Sequence, residues 1–356
     1  VLFVDDSTLV RTMLKKVFQE DGRFQVAGEA CDGADAVRKA QEGNIDLIVM
    51  DINMPVMDGI EATRRISAFS PAAIVMFTTE DTMDSIYRSI SAGALEVLQK
   101  PNIADMTEEM LRNFREKIYV ISQSRKDKVQ SFSANREAGP AGFPKEAERP
   151  GTGRMALPPS SGIPRRDYDI LFIGSSTGGP SALQSLLLQL PKDFPLPIMI
   201  TQHIDRLFDQ QLVKWLNDTT PFKVSLARDG EVPERGHAYI APADRHLVIS
   251  MVGGRHVMLL NNDPPLHFLK PSVDKMFTSA AQVIADKVLA VILTGMGKDG
   301  AAGAVEIRRN GGSMLAQDEH SCIVFGMPKA VIEAGAAQEI VALDKMGEAI
   351  AAAVRA

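Results

Sequence analysis

Cysteine is scarce in this chain: Cys31 and Cys322 are the only two among 356 residues. Such a pair cannot build a disulfide framework or a zinc cluster, and it suits a reducing compartment. A surplus of positive charge is also missing. Lys and Arg total 39 against 45 Asp and Glu, a formal net charge of -6. No overall field therefore draws the chain to nucleic acid or to an anionic membrane. No apolar run approaches the roughly 18 residues that a membrane helix needs, and the first residues do not read as a signal peptide. The expected location is cytoplasmic, with no membrane insertion. Val1 lies inside an apolar run, so a few residues of the natural protein are expected before it. What is present is ordinary for a folded protein: 45% hydrophobic and 24% charged residues, too apolar for a disordered chain. At roughly 150 residues per domain, this length suggests about two domains.

From Val1 to about Ser124, short apolar runs alternate with segments of helical period. The runs are Val1–Val4, Phe24–Ala27, Asp46–Met50, Ile74–Phe77 and Leu95–Leu98. Helices are expected over Thr8–Gln19, Ala34–Gln41, Ile60–Ile66, Asp84–Ser91 and near Asp105–Ile121. This alternation predicts a doubly wound parallel sheet over residues 1–124. Residues 125–167 differ in texture: 43 residues hold 6 Pro, 5 Gly and only six of Val, Leu, Ile, Met and Phe. A stretch that poor in apolar side chains cannot offset its ordering entropy, and it reads as a flexible, mildly basic linker. Residues 168–356 return to α/β texture, with a hairpin expected at Met251–His256, where Gly253-Gly254 supplies the turn. The fold class expected is thus α/β, two doubly wound parallel-sheet domains joined by a linker.

In open α/β sheets, ligands gather outside the carboxyl ends of the strands. Asp5 and Asp6 follow the first run, Asp51 ends the third, Thr78 the fourth, and Lys100-Pro101 the fifth. Three neighbouring carboxylates repel one another unless a hard divalent cation such as Mg²⁺ sits among them. A carboxylate so placed can accept a phosphoryl group as an acyl phosphate, while Lys100 and Thr78 contact its oxygens. Each Asp alone would pass for a helix cap. Five such residues at successive strand ends favour a site.

These residues resemble the receiver domain of bacterial two-component response regulators. The resemblance spans Val1 to about Ser124 and includes Val4-Asp5-Asp6-Ser7, Asp51-Ile52-Asn53-Met54-Pro55, Met57-Asp58-Gly59 and Lys100-Pro101. It implies Asp51 as phosphoacceptor, and Mg²⁺ held by Asp5, Asp6, Asp51 and the Asn53 backbone carbonyl. Thr78 and Lys100 then sense the phosphoryl group. Val97 stands where many receivers carry a Tyr or Phe, so the switch surface is expected to differ.

In the second half, Gly174-Ser175-Ser176-Thr177-Gly178-Gly179 follows the run Asp169–Ile173 and precedes a helix opened by Pro180. Read as G-x-S-x-G, it is a nucleophile elbow that exposes Ser176 at a helix N-terminus, with Ser175 as the rival serine. His203 ends the next strand and is the best-placed base of the six histidines. An orienting acid should also follow a strand: Asp299 lies in the Gly-rich turn after Val288–Leu293, with Asp244 and Asp318 as weaker alternatives. Triads are defined by geometry, so the order Ser, His, Asp is no obstacle.

Gly174–Gly179, Thr201-Gln202-His203, Gly236–Pro242, Leu293–Gly300 and Phe325-Gly326-Met327-Pro328 together resemble the catalytic domain of chemotaxis protein-glutamate methylesterases. The resemblance spans about Asp169 to Ala356. It implies Ser176 as nucleophile, His203 as base, Asp299 as orienter and the Met296 amide as oxyanion donor, with no cofactor for the ester chemistry. The implied substrates are methylated glutamyl side chains, and certain glutamines, on the cytoplasmic domains of chemoreceptors. A chemotaxis histidine kinase is the implied phosphodonor. The receiver is expected to cover the strand-end cleft until it is phosphorylated. A DNA-binding regulator is disfavoured because the output half is α/β, Gly-rich and not notably basic. A non-catalytic adaptor is the other class, and labelling of Ser176 by an activated phosphonate discriminates against it.

Overall fold

The structure, a computed structural model, describes residues 1–79, 83–100, 107–136, 162–206 and 208–354. Pro101 lies outside them. In the first half, strands β1 (Leu2–Val4), β2 (Gly28–Ala30), β3 (Leu47–Met50), β4 (Ala73–Thr78) and β5 (Glu96–Gln99) form one parallel sheet in the order β2-β1-β3-β4-β5. Helices α1 (Thr8–Gln19), α2 (Gly33–Glu42), α3 (Gly59–Phe69), α4 (Met83–Ala92) and α5 (Glu108–Arg136) connect and cover it. Ser7, Asp32 and Asp58 each accept a backbone N–H at the start of α1, α2 and α3, so these polar residues fix where the helices begin.

The second half holds a seven-stranded parallel sheet. Its strands are β6 (Ile170–Ser175), β7 (Ile198–Gln202), β8 (Lys223–Leu226), β9 (His237–Ile240), β12 (Val288–Ile292), β13 (Ser313–Gln317) and β14 (Glu339–Val341). They run in the order β14-β13-β12-β6-β7-β9-β8. Strands β10 (His246–Val252) and β11 (Arg255–Asn261) form the expected antiparallel hairpin about Gly253-Gly254. The helices are α6 (Gly179–Gln189), α7 (Asp209–Thr219), α8 (Val273–Val283), α9 (Ala301–Arg309), α10 (Met327–Glu333) and α11 (Leu343–Ala353). Strands β6, β7 and β12 are wholly buried, as a central parallel sheet covered on both faces requires. The doubly wound reading therefore holds for both halves.

Two expectations need correction. The second strand is Gly28–Ala30 rather than Phe24–Ala27. Register places Leu2 opposite Gly28, so the Phe24 run lies upstream of the paired stretch. Phe24 instead packs edge-on against Phe18 at 4.7 Å and Tyr119 at 5.9 Å. Apolar character there reflects an aromatic cluster, not strand pairing. The other correction concerns α5, which continues through Arg136, beyond the expected end near Ile121. Residues 122–136 contain neither Pro nor Gly, and the first of these breakers after them is Gly139. Further on, Arg166 bridges to Val354, and Tyr168 donates to Ser313 Oγ at 2.8 Å, tying this stretch to the second sheet.

The two halves touch. Tyr87 of α4 is buried against Phe208 and Trp215 of the α7 region. Val324 is buried in the apolar cluster that holds Phe77, Ile118 and Ile121, and Met296 and Ile323 pack against that cluster.

Candidate active site and phosphoacceptor site

In the second sheet the strand order reverses between β6 and β12, and the chain leaves both strands into the same crevice. Ser175 and Gln202 are register partners on β6 and β7, so Ser176 and His203 are the next residues along adjoining strands. Paired strands run about 4.8 Å apart, which sets these two side by side at the rim. The His203 amide donates to the Ser175 carbonyl at 3.0 Å, and Gln202 Nε2 donates to the Ser176 carbonyl at 2.8 Å. The elbow is held open by backbone geometry. Gly178 adopts φ 74°, the left-handed conformation that favours glycine, and Pro180 starts α6. Gly295 passes so close that a Cβ there would lie 2.8 Å from Ser176 Cβ.

Asp299 meets His203, its Oδ2 lying 2.8 Å from His203 Nε2. The acid is 2% exposed and receives three more donors from the start of α8: Ser272 Oγ at 2.8 Å, Val273 N at 2.7 Å and Asp274 N at 3.0 Å. Burial alone would raise its pKa. The His203 hydrogen bond and charge, with the Asp274 and Val273 amides, outweigh that and hold the carboxyl below the usual range. Asp274 shifts the opposite way, raised by burial and by the Asp299 charge, even though the Gly303 amide donates to it. Neither alternative acid serves this histidine. Asp244 pairs with Arg206 at 3.1 Å, and Asp318 accepts from the Ser321 amide at 3.0 Å.

The rival serines separate clearly. Ser175 is 0% exposed and donates to Gln202 Oε1 at 2.6 Å, whereas Ser176 is partly exposed at the rim. Met296 lies in the same Gly-rich turn, partly exposed beside the elbow. Sequence reasoning gave no role to Ser272 or Gln202. The signal in reach was the position of Gln202 directly before His203.

In the first sheet, the order reverses between β1 and β3, and the acidic residues lie there. Carboxylate oxygens of Asp5, Asp6 and Asp51 all fall within 4.8 Å of one another, with Asp5 and Asp51 buried and Asp6 exposed. Lys100 Nζ lies between two of them, 2.7 Å from Asp5 Oδ2 and 2.9 Å from Asp51 Oδ2. Burial raises the Asp51 pKa, the Lys100 ammonium opposes this, and the Asp5 charge adds to it. Thr78 is buried at the end of β4, and its carbonyl accepts the Lys100 amide at 2.8 Å. Asn53 is exposed in the loop after β3. An all-oxygen, multiply anionic donor set of this size fits a small hard cation.

Fold and geometry thus set a Ser, His and Asp constellation at one sheet's rim and a cluster of carboxylates with a lysine at the other's. The family described as CheB methylesterase matches residues 171–350, and the response regulator receiver domain matches residues 1–112. A protein-glutamate methylesterase/protein-glutamine glutaminase of Vibrio parahaemolyticus serotype O3:K6 is 37% identical over 363 residues, covering 98% of this chain and 96% of the relative. One of Pyrococcus horikoshii is 33% identical over 368 residues, covering 99% and 93%. Among solved structures, the Thermotoga maritima CheB methylesterase catalytic domain has 41% identity and a TM-score of 0.50, covering 51% of this chain and 97% of that one. The chain belongs to the CheB methylesterase family and carries a response regulator receiver domain.

Proposed function

We propose that this chain is a phosphorylation-regulated serine hydrolase that removes methyl esters from glutamyl side chains of chemoreceptors and deamidates specific glutamines. The observation that carries this is the 2.8 Å contact of His203 with a fourfold-bonded, buried Asp299, one strand away from a partly exposed Ser176. Asp299 engages Nε2, which leaves Nδ1 as the ring nitrogen for the Ser176 proton. Ser176 Oγ then attacks the ester carbonyl. The Met296 amide and the N-terminus of α6 face the developing oxyanion, each such donor being worth about 10²–10³ in rate. The imidazolium returns its proton to the departing methoxide, and methanol leaves. Water, deprotonated by His203, releases glutamate from the acyl-enzyme. General base help is worth about 10²–10⁴. With a glutamine substrate the same proton goes to departing ammonia.

In the receiver, Asp51 accepts the phosphoryl group, with a chemotaxis histidine kinase as donor, and Thr78 and Lys100 contact its oxygens. Asp5, Asp6, Asp51 and the Asn53 carbonyl would hold Mg²⁺, which when bound would supply positive charge against the crowded carboxylates and the phosphoryl oxygens. The ester chemistry uses no cofactor. We take residues 1–124 as receiver and 168–356 as esterase, with 125–167 between them. The reading places the enzyme in the cytoplasm; no helix among the described residues is long and apolar enough to cross a membrane. Packing of Met296 and Ile323 against the receiver's apolar cluster supports a receiver that restrains the cleft.

The test is a methanol-release assay on methylated receptor, with and without acetyl phosphate and Mg²⁺. Release that rises on phosphorylation and disappears in Ser176→Ala is the expected result. Methanol release surviving in that variant overturns the assignment.

A further inference from the structure

Between β11 and α8 the chain makes a tight turn whose tip is out of keeping with its residue types. Leu266 and Leu269 exchange both backbone hydrogen bonds, at 3.0 and 2.9 Å. The two residues between them, His267 and Phe268, adopt φ 53° and 66°. Left-handed φ at both central positions is the type I′ arrangement that Asn-Gly ordinarily fills, and it is costly for bulky side chains. The turn nevertheless carries a phenylalanine that is 98% exposed, the most exposed large hydrophobic among the described residues. A strained backbone holding an aromatic ring in solvent gains nothing for the fold, which points to a partner.

The base of the turn is fastened to the start of β10 and the loop before it. Pro264 O lies 3.2 Å from His246 Nε2, and Asp244 N donates to Lys270 O at 3.4 Å. Ser272, four positions beyond Phe268, bonds Asp299. Four residues span at most about 14 Å, so the Phe268 Cα lies within that distance of the Ser272 Cα. Beside the turn opens a cleft of about 450 Å³ whose lining includes Arg206, Asp209, Pro242, Asp244, Arg245 and Leu260. Asp244 is common to the cleft and to the Lys270 bond, so the two features share a wall. Arg206 makes an exposed pair with Asp244 and its charge also acts on Asp209, whereas Arg245 has no ion-pair partner among the described residues.

We infer that Phe268 and the Arg206–Arg245 cleft form the surface that docks the substrate helix beyond its reacting glutamyl group. This rests on the hydrolase reading above. The fitting partner is a helix with an apolar side chain for Phe268 and a carboxylate for the free guanidinium, two to three turns from the ester. At about 5.4 Å per turn, three turns cover about 16 Å, more than the limit of about 14 Å between the Phe268 and Ser272 Cα atoms. A substrate whose ester sites become carboxylates as they are cleaved supplies the negative charge.

The experiment compares the full chain with Phe268→Gly and Arg245→Gln on two substrates, methylated receptor cytoplasmic fragment and a small activated ester. Glycine suits φ 66°, so Phe268→Gly removes the ring while relieving the turn, and its Tm is expected to hold or rise. In both variants KM for receptor should rise about tenfold with kcat within about twofold, from partial burial of one ring or loss of one ion pair. The ratio of kcat/KM on receptor to kcat/KM on the small ester should fall correspondingly. An unchanged ratio in both variants overturns the inference, as does an equal loss on both substrates. Loss of self-association in Phe268→Gly with receptor kinetics intact would assign the turn to a second copy of the chain and likewise overturn it. If the parent protein released no methanol, the hydrolase reading would fall instead. The docking surface would then be judged by co-sedimentation with the receptor fragment.

Discussion

The Tyr87 ring stacks on the Trp215 indole with centroids 4.8 Å apart and planes inclined by 17°, and the phenol donates to the Phe208 carbonyl at 3.2 Å. One partner belongs to the receiver half and the other to the esterase half. Trp215 is the single tryptophan of the chain, so its emission reports this contact alone. An aromatic pair is worth about 0.5–1.5 kcal/mol beyond its area, a factor of about 2–13 in a docking equilibrium. Tyr87→Ala is expected to raise unphosphorylated methanol release several-fold and shift tryptophan emission to the red. An unchanged rate together with an unchanged spectrum would show that this stack does not restrain the enzyme.

Substitution at the paired serines should separate structure from chemistry. Ser176→Ala should lower methanol release by at least about 10⁴, to background, because nucleophile and base act as one unit. Ser175→Ala removes a buried donor to Gln202 and should cost about 1–2 kcal/mol of stability while most activity remains. Single-turnover methanol release and urea unfolding of both variants check this.

Chelation should divide the two halves. EDTA is expected to abolish activation by acetyl phosphate yet leave the unphosphorylated esterase rate as it was, and Asp51→Asn should behave the same way. The measurement is methanol release across a Mg²⁺ titration. Loss of the basal rate on chelation would contradict a cofactor-free ester site.

Acid stability should carry the signature of His237. Burial, with a smaller contribution from nearby Lys223, lowers its pKa from 6.5 to about 4. Nε2 lies 2.9 Å from Ser225 Oγ, and Nδ1 is buried without a hydrogen-bond partner. A depressed folded-state value means that the unfolded chain takes up a proton first as pH falls. The contribution is therefore intact above pH 6.5 and is lost progressively down to about pH 4. The loss amounts to about 3 kcal/mol. His237→Gln should flatten the unfolding free energy across that window, as read from urea midpoints at a series of pH values.

Much of this architecture was legible because parallel strands buried on both faces read as plain apolar runs; helix α1 matches the expected residues end for end. Legibility failed where a segment's reason lay elsewhere in the chain. Phe24 is apolar because of Phe18 and Tyr119, not because of a neighbouring strand. Helix α7 starts at Asp209 after a Phe208 that gives no side-chain cap, so its beginning leaves no local mark, and β14 is only three residues long. At the site, Ser176, His203 and Asp299 could be placed because each follows a strand. Ser272 and Gln202 could not, since each acts through a partner 27 positions away. Tyr87 likewise sits on an expected helix, but nothing near it in sequence announces Trp215.

Met296, proposed above as the oxyanion donor, packs against the receiver's apolar cluster. On that proposal one residue serves both restraint and chemistry, so a substitution there would move the idle and the activated rates together. A permanently unlocked form is better sought at the far end of the contact, where Tyr87 can be altered with the reacting groups left alone.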